Sequence, residues 1–318
     1  MSSRTSNYAA LQSTNYWRNH AYQMDARWNR ASGRLGSIKS WQRGAIGNIG
    51  AGRNTVFYPF GGPDFLYAHA FFPNVRTYLL CGLEPVGSIP NLNAMSDGEL
   101  NYALQGLQTS IASSLDFSYF ITKDMRVDLN RTKLRGVIPI LYVYLARTGH
   151  AIHSVESVSL SSSGGIIASS SGNGVRIRCS SPYGSSKTVC YFRTDLSNSG
   201  GNRFHQLMAA NRPGVTFIKS ASYLLHSGGF SKTRAAIEKY SDAIVQDPSG
   251  IPYRYLADGE WSLQLHGNYQ GTLDIFQSYY QADLRRAYQQ TGGRRLDFGV
   301  GYRFDPAVSS ILVARKAR

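Results

Sequence analysis

Nowhere does the chain hold eighteen consecutive apolar residues, which excludes an ordinary membrane-spanning helix. Its opening Met1-Ser2-Ser3-Arg4-Thr5-Ser6-Asn7 has no apolar run, so no secretory signal is legible there. The G-x-S-x-G, S-x-x-K, H-E-x-x-H and Walker patterns are also missing, which leaves serine-hydrolase, zinc-protease and P-loop chemistry without a foothold. His150 and His153 stand three apart without partners in metal-site spacing, and no metal site is expected. Neither an aromatic RNA-binding signature nor a Cys/His finger spacing occurs, so specific nucleic-acid binding is not expected.

Acid is scarce. The 19 Asp and Glu stand against 34 Lys and Arg, for a net charge of +15 over 318 residues. The excess is concentrated in residues 1–53, where Arg4, Arg18, Arg27, Arg30, Arg34, Lys39, Arg43 and Arg53 face Asp25 alone. Such a charge favours anionic partners, among them an acidic surface met through the basic N-terminal segment. With 42% hydrophobic and 17% charged residues the chain is globular rather than disordered. Its 21 tyrosines combine an apolar ring with a hydroxyl, which suits half-buried packing and also the binding of sugars or bases.

Cysteine is rare, at three residues, yet two of them flank one hairpin pattern. With the turn centred at Gly184–Ser185, Cys179 faces Cys190 and Ile177 faces Phe192. That register makes a Cys179–Cys190 disulfide geometrically feasible and implies an oxidising compartment. Cys81 reads as an inert core thiol.

The pattern predicts an α/β fold, a mixed and centrally parallel sheet flanked by helices. Residues 1–54 form a basic helical and linker segment, helical over 5–31 and a loop over 34–53. Residues 55–318 form one α/β domain, with an antiparallel excursion at about 151–195 where the periodicity changes to two. Ser96 and Glu99 make a capping box for a helix running to about Leu115. Residues 133–148 read as a buried helix bent at Pro139, or as a buried strand after a short helical start. Leu273–Gln289 reads as one long amphipathic helix.

The most informative stretch is 55–90, which reads as strand, glycine turn, short helix and second strand. Asp64 and Glu84 each end a strand, where an open α/β sheet builds its ligand crevice. Gly61 and Glu84 are 23 positions apart, the spacing of a nucleotide-type unit whose second strand ends in a ribose-binding acid. Against that, Gly61-Gly62-Pro63-Asp64 is not G-x-G-x-x-G: Pro63 removes an amide donor and Asp64 repels phosphate. Lys219, Ser220 and Ser222 follow one later strand, with His226 beyond them. Gln246 and Asp247 follow the next, with Tyr253 and Arg254 close behind.

The strings 58–67 (YPFGGPDFLY), 82–87 (GLEPVG), 217–226 (FIKSASYLLH) and 246–255 (QDPSGIPYRY) resemble those of a bacterial family of uncharacterised, mostly exported proteins. The resemblance spans about residues 55–315 and carries no activity. It implies a bacterial protein that is exported to the periplasm or beyond; if the chain starts at its true beginning, the cytoplasm is the alternative.

The leading expectation is a cleft for an anionic or polyhydroxylated ligand lined by Asp64, Glu84, Lys219, Ser220, Ser222, His226, Asp247, Tyr253 and Arg254. A hydrolase with Asp64, Glu84 or His226 as general base is the alternative, His226 being oriented by Asp247. A third reading is a cofactor-dependent transferase built on the 55–90 unit, its cofactor unknown.

Overall fold

The computed structural model describes residues 10–50, 54–120 and 132–317. Arg4, Tyr8 and Arg53, parts of the basic segment, lie outside the described residues. Among those described, ten strands form one sheet: β1 (Thr55–Tyr58), β2 (Thr77–Gly82), β3 (Ala151–Leu160), β4 (Ile166–Ala168), β5 (Gly174–Ser180), β6 (Ser186–Arg193), β7 (Gly214–Ile218), β8 (Ala243–Gln246), β9 (Trp261–Gly267) and β10 (Ser310–Lys316). Their order across the sheet is β4-β3-β5-β6-β2-β1-β7-β8-β10-β9. The five strands β6-β2-β1-β7-β8 run parallel, and the strands beyond them are antiparallel. The α/β class and the parallel centre are therefore as expected.

The seven longer helices described are α1 (Asn15–Ala45), α2 (Phe65–Phe71), α3 (Asp97–Phe117), α4 (Ile138–Arg147), α5 (Asn202–Ala210), α6 (Ser231–Tyr240) and α7 (Ala282–Thr291). Alternation within the central strands feeds two cores. Val56, Tyr58, Tyr78 and Leu80 pack with residues of α1 to α4, whereas Phe57, Leu79 and Cys81 pack with residues of α5 to α7. Strands buried on both faces carry no polar side, which is why β1, β7 and β8 read as short apolar runs.

Helix α1 corrects the expected loop at 34–53, because it runs on to Ala45. Gly33, Gly36 and Gly44 suggested a break, but Ala31, Leu35, Ile38 and Gln42 keep a buried face at helical spacing. Its arginines are used internally: Arg27 and Arg30 pair with Asp116, and Arg34 donates to the carbonyls of Leu115 (3.4 Å) and Asp116 (2.8 Å). Cations there complement the C-terminal end of α3. Among the described residues, no helix is long and apolar enough to cross a membrane.

Elsewhere local rules hold with adjustments. Helix α3 opens on the expected capping box: Glu99 Oε2 accepts from the Ser96 N–H at 2.9 Å and Ser96 Oγ from the Glu99 N–H at 3.4 Å. Pro139 sits in the first turn of α4, where its missing N–H costs nothing, so the helix starts there without a bend. The expected helix over 273–289 is split into a 3-10 segment, Asp274–Tyr279, and α7. Gln281 marks the break. Its N–H donates to Tyr269 Oη (3.0 Å), its Oε1 accepts from the Tyr253 N–H (2.7 Å) and its Nε2 donates to the Pro248 carbonyl (3.0 Å).

The Cys179–Cys190 disulfide is overturned. The β5–β6 register sets Cys179 opposite Lys187 and Arg176 opposite Cys190, and all three cysteines are free and buried. The loop closes with a hydrogen bond from the Ser181 N–H to the Ser185 carbonyl, so the pairing is shifted by an odd number of residues. An odd shift sends alternate side chains to opposite faces. Cys179 accordingly joins the core under α1 to α4, and Cys190 the core under α5 to α7. Burial pushes the Cys179 thiol up to about 11 and that of Cys190 to about 12. All three thiols should therefore resist a thiol-reactive reagent in the native protein and label fully in urea without reductant. A pair that labels only after reduction would contradict this register.

Strand β6 also belongs to the parallel centre, since it pairs with β2 as well as β5. The excursion expected at 151–195 thus supplies a core strand.

Candidate functional site

Numbered by their place in the chain, the five parallel strands lie in the order 3-2-1-4-5. Crossovers from β1 lead one way to β2 and those into β7 lead the other way, so the carboxyl ends of β1 and β7 border a crevice. A cleft of about 490 Å³ opens there, within the usual range of small-molecule sites.

The chain leaving β1 turns on Phe60 and Gly62, both left-handed at φ 64° and 59°. Gly61 is held to glycine by packing, because a Cβ there would lie 2.4 Å from the Tyr58 ring. Asp64 then caps α2: Oδ1 accepts from the Tyr67 N–H at 3.2 Å, and Oδ2 accepts from the Tyr58 hydroxyl at 2.9 Å. Oδ2 also pairs with Lys219 Nζ at 3.0 Å, the side chains being 1% and 2% exposed. Lys219 Nζ donates to the Ser118 carbonyl and sits 4.5 Å from the centre of the Tyr67 ring. A buried charge pair persists only when its remaining valences are met in this way. Burial, with the Asp64 charge beside it, pushes the Tyr58 hydroxyl well above its ordinary range and keeps it a donor.

Glu84, 2% exposed, stands where β2 ends. The Tyr191 hydroxyl lies 2.8 Å from its carbonyl and 3.1 Å from Oε2. Gly82 makes room for that carboxylate, since a Cβ there would come within 2.1 Å of Oε2. Among the described residues Oε1 has no hydrogen-bond partner.

Beyond β7, Ser220, Ser222 and Tyr223 are all left-handed, at φ 53°, 51° and 55°. Non-glycine residues there cost on the order of 1–3 kcal/mol each and persist only when held from outside. Asp247 Oδ2 accepts from the Ser220 N–H (2.8 Å), Ser249 Oγ from the Ala221 N–H (2.8 Å), and Tyr302 Oη from the Ser222 N–H (3.1 Å). Burial pushes the Asp247 carboxyl up, and hydrogen bonds from Ser249 and Ser220 pull against it.

Asp64, Glu84, Lys219, Ser220 and Ser222 thus line one cleft. Asp247 lies behind the β7 loop and braces it, with both carboxylate oxygens engaged by Ser220 and Ser249. His226 and Arg254 border a separate polar cavity of about 610 Å³ together with Asp283 and Arg286. Tyr253 lines a narrow crevice against Gln281. The left-handed turns redirect the chain, so His226 packs edge-on against Tyr223 at 5.1 Å and does not reach the Asp247 oxygens. Burial draws its imidazole down to about 4, and Arg254 adds to the effect.

Asp195, Phe230 and Tyr302 are among the lining residues that were not anticipated. Asp195 follows β6, and the rule that selected Asp64 and Glu84 would have found it had β6 been read as parallel. Phe230 and Tyr302 form part of the wall and come from distant segments with no local signal. Among the described residues, no three His, Cys, Asp or Glu side chains converge as on a metal ion.

No family model, no curated protein and no solved structure matches this chain, so the site is read from its own chemistry.

Proposed function

We propose that the cleft at the switch point binds a small polyhydroxylated molecule. The observation that carries this reading is Glu84, a buried carboxylate bordering the cleft with one oxygen unpartnered among the described residues. A ligand hydroxyl is the natural donor for such an oxygen, which is not sealed in the interior but open at the cleft wall. Aromatic and aliphatic side chains, Phe60, Leu83, Phe230 and Phe276 among them, supply apolar faces for a ring. The anionic half of the expectation has less support. Asp64, Glu84 and Asp195 border the cleft with Lys219 as the one cation among its described lining residues, so the local charge opposes that of the whole chain.

Hydrolysis is the competing reading, and it keeps one base in this cleft: Asp64 is held by Lys219 and His226 borders the other cavity. Consumption of the bound molecule separates the two. Export rests on the motif resemblance alone, since its disulfide argument is gone.

The test is a thermal-shift panel of neutral sugars, polyols and nucleosides against inorganic phosphate and citrate. A hydroxylated member present at 100 times its Kd should stabilise the fold by about 2.7 kcal/mol. Glu84→Gln should remove the response. No response from any hydroxylated compound, or a response indifferent to Glu84→Gln, would overturn the reading.

A further inference from the structure

We infer that the occupant is a phosphate-free nucleoside carrying a positive charge, of the sulfonium or amine kind. The inference rests on the cleft being a site for hydroxylated ligands and goes on to name the class. Its first support is position. In sheets whose parallel strands run 3-2-1-4-5, nucleosides bind across the switch point, with an acid at the end of the second strand taking the ribose hydroxyls. Glu84 occupies that place at the end of β2, directly behind the turn that follows β1. Gly62, whose Cβ would lie 3.3 Å from Glu84 Oε2, joins the two.

The second support is the closed phosphate cradle. In dinucleotide sites the turn after the first strand offers free N–H groups to a pyrophosphate. Here the Gly62 N–H donates to the Cys81 carbonyl at 3.0 Å, Pro63 has no N–H, the Phe65 N–H donates to the Pro63 carbonyl at 2.7 Å and the Tyr67 N–H to Asp64. The Asp64 carboxylate occupies the position a phosphate would take. The same strand order is thus retained with three of the turn's N–H groups engaged or absent at Gly62, Pro63 and Phe65, and with a carboxylate at the helix start that repels phosphate.

Charge is the third support. Asp64 is neutralised by Lys219, while Glu84 and Asp195 have no cationic partner among the described residues. Asp195 Oδ1 accepts from the Ser197 N–H and Oδ2 from the Ser197 hydroxyl, each at 2.8 Å, and both donors are neutral. Two such carboxylates in an apolar-walled cleft repel an anion and attract a cation. The aromatic wall suits a base, which stacks on any π face, and Phe60 and Phe230, 5.8 Å apart edge to face, form one end of that wall.

The experiment is titration calorimetry of the full chain with a ligand series that varies one property at a time. 5′-Amino-5′-deoxyadenosine, adenosine and AMP vary the charge at the 5′ position from positive through neutral to negative, adenosine and 2′-deoxyadenosine vary the diol, and NAD brings a pyrophosphate. Affinity should fall at least tenfold from 5′-amino-5′-deoxyadenosine to adenosine and again to AMP, with NAD not binding. Loss of the 2′-hydroxyl should cost at least tenfold in the native protein, and Glu84→Gln should cost the same for adenosine while leaving 2′-deoxyadenosine unaffected. Because the ligand-side comparisons use the unaltered chain, they stand even if Glu84→Gln fails to fold. AMP binding as tightly as adenosine, or glucose and mannitol binding where nucleosides do not, would overturn this inference and leave the hydroxylated-ligand reading intact. Silence across sugars, polyols and nucleosides alike would overturn both.

Discussion

Lys219→Met should destabilise the protein by about 3–5 kcal/mol, the usual cost of removing one member of a buried ion pair. The reason lies in what remains. Asp64 would keep the Tyr58 hydroxyl and the Tyr67 N–H but lose the ammonium 3.0 Å away, in a site 1% exposed. Asp64→Asn should be comparably harmful, since it strands the ammonium against the Ser118 carbonyl and the Tyr67 ring. Asparagine still caps a helix, so the double variant removes both charges while preserving the start of α2. It should recover more than half of either single loss. Urea denaturation of the four proteins closes the cycle, and single variants within 1 kcal/mol of the parent would show that the pair carries little.

Acid should be the second large lever: stability should fall steeply as pH drops from about 6.5 towards 4. Burial draws His69 down to about 3, and the charges of His150, Lys187 and Lys39 lower it further. His226 and His266 are drawn to about 4, and His20, His150 and His205 are lowered as well, in each case chiefly by burial. In the unfolded chain each titrates near 6.5. Across this window the unfolded state binds the protons and the folded state does not, so stability is full above the unfolded value and lost below it. One histidine contributes up to about 1.4 kcal/mol per pH unit in this way. Glu238, pushed up to about 7 by burial, and Asp247 act in the opposite sense but are fewer. His69, stacked on Phe65 and 4.7 Å from the His150 ring, is the best single probe. His69→Phe should flatten the thermal midpoint between pH 4.5 and 6.5 relative to the parent, and an unchanged slope would acquit His69.

What could be read without coordinates was what local chemistry decides. A glycine turn between two short apolar strands, each ending in an acid, located Asp64 and Glu84, and the polar run after β7 located Lys219, Ser220 and Ser222. The capping box of Ser96 and Glu99 set the start of α3. Other features depend on geometry that residue types do not announce. Left-handed serines at 220 and 222 turn His226 away, and serine is a poor advertisement for that conformation. The β5–β6 register hangs on the size of one Ser-rich turn, and an odd shift there separates Cys179 from Cys190. Asp195 was hidden because the parallel pairing of β6 with β2 joins segments over a hundred residues apart, as Leu79 facing Cys190 shows.

Helix α1 is tied to segments made much later. Trp41 Nε1 donates to His266 Nδ1 at 3.2 Å across 225 positions, and Arg315 reaches back to the Ala45 carbonyl at 2.9 Å. At ribosomal speeds those partners arrive roughly 10–55 s after Trp41 has been made. Through that interval the Leu35, Ile38 and Trp41 face has part of its packing missing, which makes the nascent chain sticky before it is stable. A cell producing this protein has reason to keep a chaperone on α1 until β10 is released.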